Sequence, residues 1–374
     1  MKRLQLVTAI LASVCAISAV AAQRNDTRFI MQPFEGSPLQ AGDALVSNGT
    51  GEVALYRGSE FIAVLRDPQD LVGTRTDSNA PLYVTDAEGS MIRGNIANFH
   101  GAMFVSADAP EIVYYKKEFI DSKPHYGKPG GGGGSADMTS HGGTVLTSNH
   151  TQAIFWGTSW ASDSSDIKSG IDSFFSGWGG SHMAGDSTEY SGTNGQVTSS
   201  STKINQVIDS TAAPSRALSV SSAVAEACKV TGNSPLADAV YFIYTDTGAG
   251  HVSYCAWHSW GNCSNGAPVQ VAYMPNITGI AGCDPGNNAG HSQGLEALAN
   301  VTSHELSEAI TDPRGAGWFD SSGAENGDKC AWAFNSIETL KNGSQWYLQG
   351  EWSNAAFDSG TGLPNRSGQK GCLY

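Results

Sequence analysis

The stretch GLEALANVTSHELSEAITDP, Gly294–Pro313, decides how this chain is read. It holds no proline before Pro313, and its spacing predicts a helix over 294–312 that stops where proline removes the next backbone donor. At about 100° per residue, Leu295, Leu298, Thr302, Leu306 and Ala309 gather on one side. Relative to His304, that apolar side centres near ~160°, whereas Glu308 falls near ~40°, Asp312 near ~80° and Glu305 near ~100°. The helix is therefore expected to bury one face and to present a histidine, two glutamates and an aspartate on the other.

That second face suits a divalent cation. Residues four apart on a helix can turn toward one ion, so His304 and Glu308 are candidate ligands through a ring nitrogen and a carboxylate oxygen. Glu305 lies next to the first ligand, where it can take a proton from a water polarised by the metal, the logic of the His-Glu-x-x-His segment of zinc proteases. Here Glu308 replaces the second histidine, which makes the set more anionic. Zinc fits, and other divalent metals that prefer oxygen compete. Glu325 follows Glu308 by 17 positions and is the candidate third ligand. Asp328 is expected to support the site or to exchange roles with Glu325. His258 and Tyr347 are candidate donors to an oxyanion. The bland reading of the same residues is a solvated acidic helix face.

Outward from this segment, Ala153–Trp156, Ala239–Tyr244 and Val269–Met274 read as buried strands, and Ile167–Trp178 has helical spacing with Ile167, Ile171, Phe174 and Phe175 on one face. Ser148–His150 reads as a turn and the Ser- and Gly-rich run 191–201 as loop. Strands alternating with helices predict a mixed α/β body of zincin-like class over 137–374. Before it, Lys128, Pro129 and five glycines form a linker, 128–136. Residues 23–127 alternate short β-like runs, such as Glu52–Tyr56, Phe61–Leu65 and Ile112–Tyr115, with turn residues, which predicts a small β-rich domain or pro-segment.

Residues 1–22 read as an export signal: Lys2 and Arg3, a short apolar run and a small-residue end at Ala21-Ala22. The expected destination is extracellular or periplasmic, with no stable membrane insertion once the signal is removed. Beyond Cys15, six cysteines remain, an even number that favours three disulfides in an oxidising compartment, with Cys372 paired to Cys330 as one expectation. The 374 residues carry 21 Lys plus Arg against 35 Asp plus Glu, a formal charge of −14 that disfavours nucleic acid and anionic lipid as partners. Hydrophobic residues make up 40% and charged residues 15%, which excludes a disordered chain and a coiled coil.

Three blocks resemble the phosphate-induced protein family of secreted proteins, which includes the plant Exordium proteins. They are His141–Thr147 running into Ile154–Gly157; Tyr254–Ser259; and the helix segment His304–Glu308 with the later Glu325–Cys330. The second block lacks the glycines of the family pattern. The resemblance implies secretion, an α/β fold over roughly 141–372 and a place at the cell surface or wall, without an established reaction. Two functions follow as expectations. One is a secreted zinc metallopeptidase acting on a peptide or protein substrate, with His304, Glu308 and Glu325 as ligands and Glu305 as base. The other is a non-catalytic extracellular binding or signalling protein. A weaker third reading, a glycoside hydrolase with paired carboxylates, would use Trp318, Trp332, Trp346 and Trp352 to stack sugars.

Overall fold

A computed structural model describes residues 112–117, 137–250, 252, 254–320 and 323–374, together with the backbone of eight short strands between 28 and 104. The export signal, the glycine linker and His251 lie outside the described residues. The chain divides into two units, Met1–Pro110 and Glu111–Tyr374.

In the first unit, Arg28–Ile30, Asp43–Ser47, Val53–Arg57, Glu60–Leu65, Pro81–Thr85 and Met91–Asn95 form one antiparallel six-stranded sheet. Ala97–Phe99 pairs with Ala102–Phe104.

The second unit is a mixed α/β body. The strands of its main sheet are β1 (Ile112–Tyr115), β2 (Asn149–Trp156), β3 (Ser201–Lys203), β4 (Val207–Asp209), β5 (Ala239–Thr245), β6 (Tyr254–Asn262) and β7 (Pro268–Met274). They form one sheet in the order β3-β2-β5-β7-β6-β1, with β4 also on β2. Pairing is parallel from β3 and β4 through β2 and β5 to β7, then antiparallel onto β6 and β1. Strand Ile112–Tyr115, read from sequence as part of the leading domain, is thus the edge strand of this sheet. β2 starts at Asn149, inside the predicted turn, and the 191–201 run contains a short hairpin, Ser191–Gly192 with Gly195–Gln196.

The helices that matter for the site are α1 (Ile167–Trp178), α2 (Val220–Val230), α3 (Gln293–Thr311) and the short α4 (Asn326–Lys329). All seven residues of β5 are buried, because helices cover both faces of the sheet. Val240, Phe242 and Tyr244 join one apolar cluster with Phe174 of α1 and Leu298 and Leu306 of α3. Ala239, Tyr241 and Ile243 point to the opposite face, where α2 packs. Three disulfides, Cys228–Cys263, Cys255–Cys283 and Cys330–Cys372, tie down loops of this unit. Cys255 is therefore no free thiol. Among the described residues, no helix is long and apolar enough to cross a membrane.

The main correction concerns α3. Its limits are close to those predicted, with Ser292 accepting from the Leu295 N–H as N-cap, but eighteen of its nineteen residues are buried, not one face only. β1, β6 and the segment after α4 cover the polar side. Asn300 shows how: its Nδ2 donates to the Tyr114 hydroxyl (3.2 Å) and its Oδ1 accepts from the Gln349 N–H (2.9 Å). The tryptophans resolve similarly. Trp346 and Trp352 are fully buried and Trp332 nearly so, as core residues rather than a sugar platform.

Candidate metal centre

Four elements bring the site together. α3 supplies His304, Glu305 and Glu308; α4 and the residue before it supply Glu325 and Asp328; β6 supplies His258; β1 supplies Tyr114. On β6, the irregularity between Tyr254 and Ala256 resets the alternation, so that Ala256 stands opposite Tyr114 and His258 opposite Ile112. Cys255–Cys283 and Cys228–Cys263 brace the two ends of that strand.

Glu308 is the centre, and its two oxygens face different neighbours. On Oε2, His258 Nε2 lies at 3.4 Å, and the same nitrogen lies 3.7 Å from Glu325 Oε2. On Oε1, His304 Nε2 lies at 3.0 Å, with Asp328 Oδ1 3.9 Å from that nitrogen. Two trios of possible ligand atoms result, His258-Glu308-Glu325 and His304-Glu308-Asp328. Glu325 thus stands with His258 rather than directly with His304, and Asp328 is the acid on the His304 side. Tyr347 belongs to neither trio; its ring stacks on Phe334 with centroids 4.8 Å apart. His291 stacks on Trp346 and bonds to the Gln345 carbonyl, away from both trios.

The two trios differ in saturation. Glu308 Oε1 already accepts the Asp328 backbone N–H at 2.9 Å, and His304 Nδ1 is 3.0 Å from Gln349 Nε2, which also donates to the Gly327 carbonyl. His258 Nε2, Glu308 Oε2 and Glu325 Oε2 are all buried and none has a hydrogen-bond partner. His304 Nε2 is likewise buried and unpartnered, so the difference between the trios lies at Glu308, whose Oε1 is satisfied and whose Oε2 is not. Zinc bonds of 2.0–2.2 Å in tetrahedral array place neighbouring ligand atoms about 3.4 Å apart. The His258 spacings match that edge. Unpartnered buried polar atoms cost roughly 1–3 kcal/mol each, which a cation among them would offset. The donor set, one imidazole and two carboxylates, fits zinc and remains open to harder divalent metals.

Burial sets the electrostatics. It drives the Glu305 carboxyl well above the usual carboxylate range, reinforced by the charges of Glu308 and Asp328. Glu325 is raised by the same burial and by Asp312 and Glu308. Burial would raise Glu308 too, but the charge of His304 and then the nearby His258 bring it down to about 2. Both Glu305 oxygens are buried without a hydrogen-bond partner; the backbone N–H groups of Tyr114 and His258 face them without closing a bond.

Gly327 permits the close approach. A Cβ there would stand 2.7 Å from His304 Nδ1 and 3.0 Å from Glu308 Oε1, so no larger residue fits without displacing them. Cys330–Cys372 anchors the end of α4 to the C-terminal strand, the pairing anticipated for Cys372. Sequence reading placed His258 as an oxyanion donor, and it lacked Tyr114, Asn300 and Gln349 altogether. The bracketing cysteines are the signal that singles out His258; nothing local marks the other three.

No protein-family model matches the chain, and no curated protein matches it. Among solved structures it is similar to metalloproteinase-II from Bacteroides fragilis, at 11% identity and a TM-score of 0.21. The likeness covers 62% of this chain and 63% of that one, less than two thirds of its length, and is too slight to carry fold or activity across.

Proposed function

We propose that the second unit is an exported, metal-dependent peptidase of zincin type. One observation carries this reading: three buried ligand atoms without partners, from His258, Glu308 and Glu325, converge within charge-interaction range of the buried carboxyl of Glu305. Those three residues would hold the cation, zinc by preference of the donor set. A divalent cation there supplies Lewis acidity toward a peptide carbonyl and lowers the pKa of water.

The chain's own residues do the rest. Glu305 is the general base, since both its carboxyl oxygens are buried without a closed hydrogen bond and its burial raises its affinity for a proton. His304 and the Asp328 backbone N–H fix the far oxygen of Glu308, which turns its other oxygen toward His258 and Glu325. Gln349 in turn holds the His304 ring by its second nitrogen. The three disulfides and the export signal agree with an oxidising destination.

The test is Glu305→Gln, with zinc content and cleavage of a peptide library read on the intact chain and after a cut within 118–136. Zinc is retained and hydrolysis falls by ~10²–10⁴-fold, the usual contribution of a general base. Cleavage that survives Glu305→Gln, or that a chelator leaves untouched, would overturn the proposal.

A further inference from the structure

The centre is sealed. His258, His304, Glu305, Glu308 and Glu325 are each at most 2% exposed, so a substrate has no route in while the present covering stays in place. Part of that covering is β1, a four-residue edge strand that pairs antiparallel with β6 alongside His258 and also packs on α3. Its Tyr114 is fully buried and makes the contacts of a guest in a fitted seat. The ring lies 4.3 Å from the His304 ring and stacks on Trp332 at 5.2 Å, and the hydroxyl accepts from Asn300 Nδ2. The Tyr114 backbone N–H faces the Glu305 carboxylate. In sequence, β1 is joined to the rest of the unit through a segment that contains five consecutive glycines, 130–134.

Antiparallel addition of an extended segment to a sheet edge is how many proteins take peptides: main-chain pairing gives affinity and alternate side-chain seats give selectivity. We infer that β1 occupies the seat of the substrate: the groove along the β6 edge receives an extended peptide with an aromatic side chain where Tyr114 now lies, and the chain keeps itself latent by filling that groove with its own strand. This rests on the hydrolytic reading of the metal centre for its meaning, but not for its test. A tethered strand competes at an effective concentration in the mM range, which free peptide meets only when the tether is cut or the strand is weakened.

The experiment uses the zinc-loaded full chain and a labelled peptide with the sequence of residues 110–118, read by fluorescence anisotropy. The intact native chain does not take up the peptide. The intact Tyr114→Ala chain does, and so does a native chain whose 130–134 segment has been replaced by a specific protease site and cut. The same peptide with alanine for Tyr114 binds either chain at least ~10-fold more weakly, as loss of a buried aromatic anchor requires. Absence of binding to the cut chain, or equal binding of the two peptides, overturns the seat. Peptide binding without hydrolysis of aromatic-containing substrates would keep the seat and remove the peptidase reading; hydrolysis by the opened chain without peptide binding would do the reverse.

Discussion

Replacing His258 with alanine separates the two trios around Glu308. If the cation takes the unsaturated oxygen, it loses one of three protein ligands in His258→Ala, whereas Asp328→Asn touches only the far side of Glu308. A supporting residue is worth 10–100-fold in metal affinity, so loss of a ligand should exceed about 100-fold and Asp328→Asn should stay near 10-fold. Zinc at ~1,000 times its Kd stabilises the native chain by about 4.1 kcal/mol. The same zinc stands at only ~10 times the Kd of the His258 variant, leaving about 1.4 kcal/mol. The lost ~2.7 kcal/mol corresponds to roughly 5–11 °C of the zinc-induced rise in Tm for a unit of this size. Thermal unfolding with and without zinc reads it directly, and calorimetric titration gives the affinity ratio. A zinc shift that survives His258→Ala but vanishes in Asp328→Asn would show that the 3.0 Å pair of His304 and Glu308, not the 3.4 Å pair of His258 and Glu308, marks the bound cation.

Two other substitutions test the surroundings. Gly327→Ala forces a methyl against His304 Nδ1 and Glu308 Oε1, and overpacking of that kind costs roughly 1–3 kcal/mol, so both chemical stability and zinc affinity should fall; unchanged values would refute the close approach. Glu296 is buried at the start of α3 and its carboxyl is pushed by burial from 4.5 up to about 7, with the Tyr347 N–H opposing the shift. A folded-state pKa above the unfolded one means that its stability contribution is intact below about pH 4.5 and is lost as pH rises to about 7. At 1.36 kcal/mol per unit the loss is on the order of 3 kcal/mol. Glu296→Gln should therefore stabilise the chain in denaturant titrations at pH 8 and leave it unchanged at pH 4; equal effects at the two pH values would contradict this.

The linear sequence determined the local elements. The run of large and β-branched residues in Ala239–Thr245 made a strand buried on both faces, and the spacing in Ile167–Trp178 made a helix with the predicted limits. Pro313 and the N-cap Ser292 bounded α3 closely, because capping and proline chemistry act within a few residues. The same nearness made His304, Glu305 and Glu308 visible as one helical constellation. Only tertiary structure decided which side of Glu308 is unsatisfied, since that depends on His258 from a strand nearly fifty residues earlier and on backbone donors of α4. Burial of the polar face of α3 also lay beyond periodicity. Periodicity reports what a helix would show to water, not that Tyr114, Asn300 and Gln349 can satisfy polar groups across a covered surface. Strand β1 makes the point most plainly: its four residues read as β from composition, but their place at the sheet edge beside the candidate metal site follows from long-range pairing that no local pattern encodes.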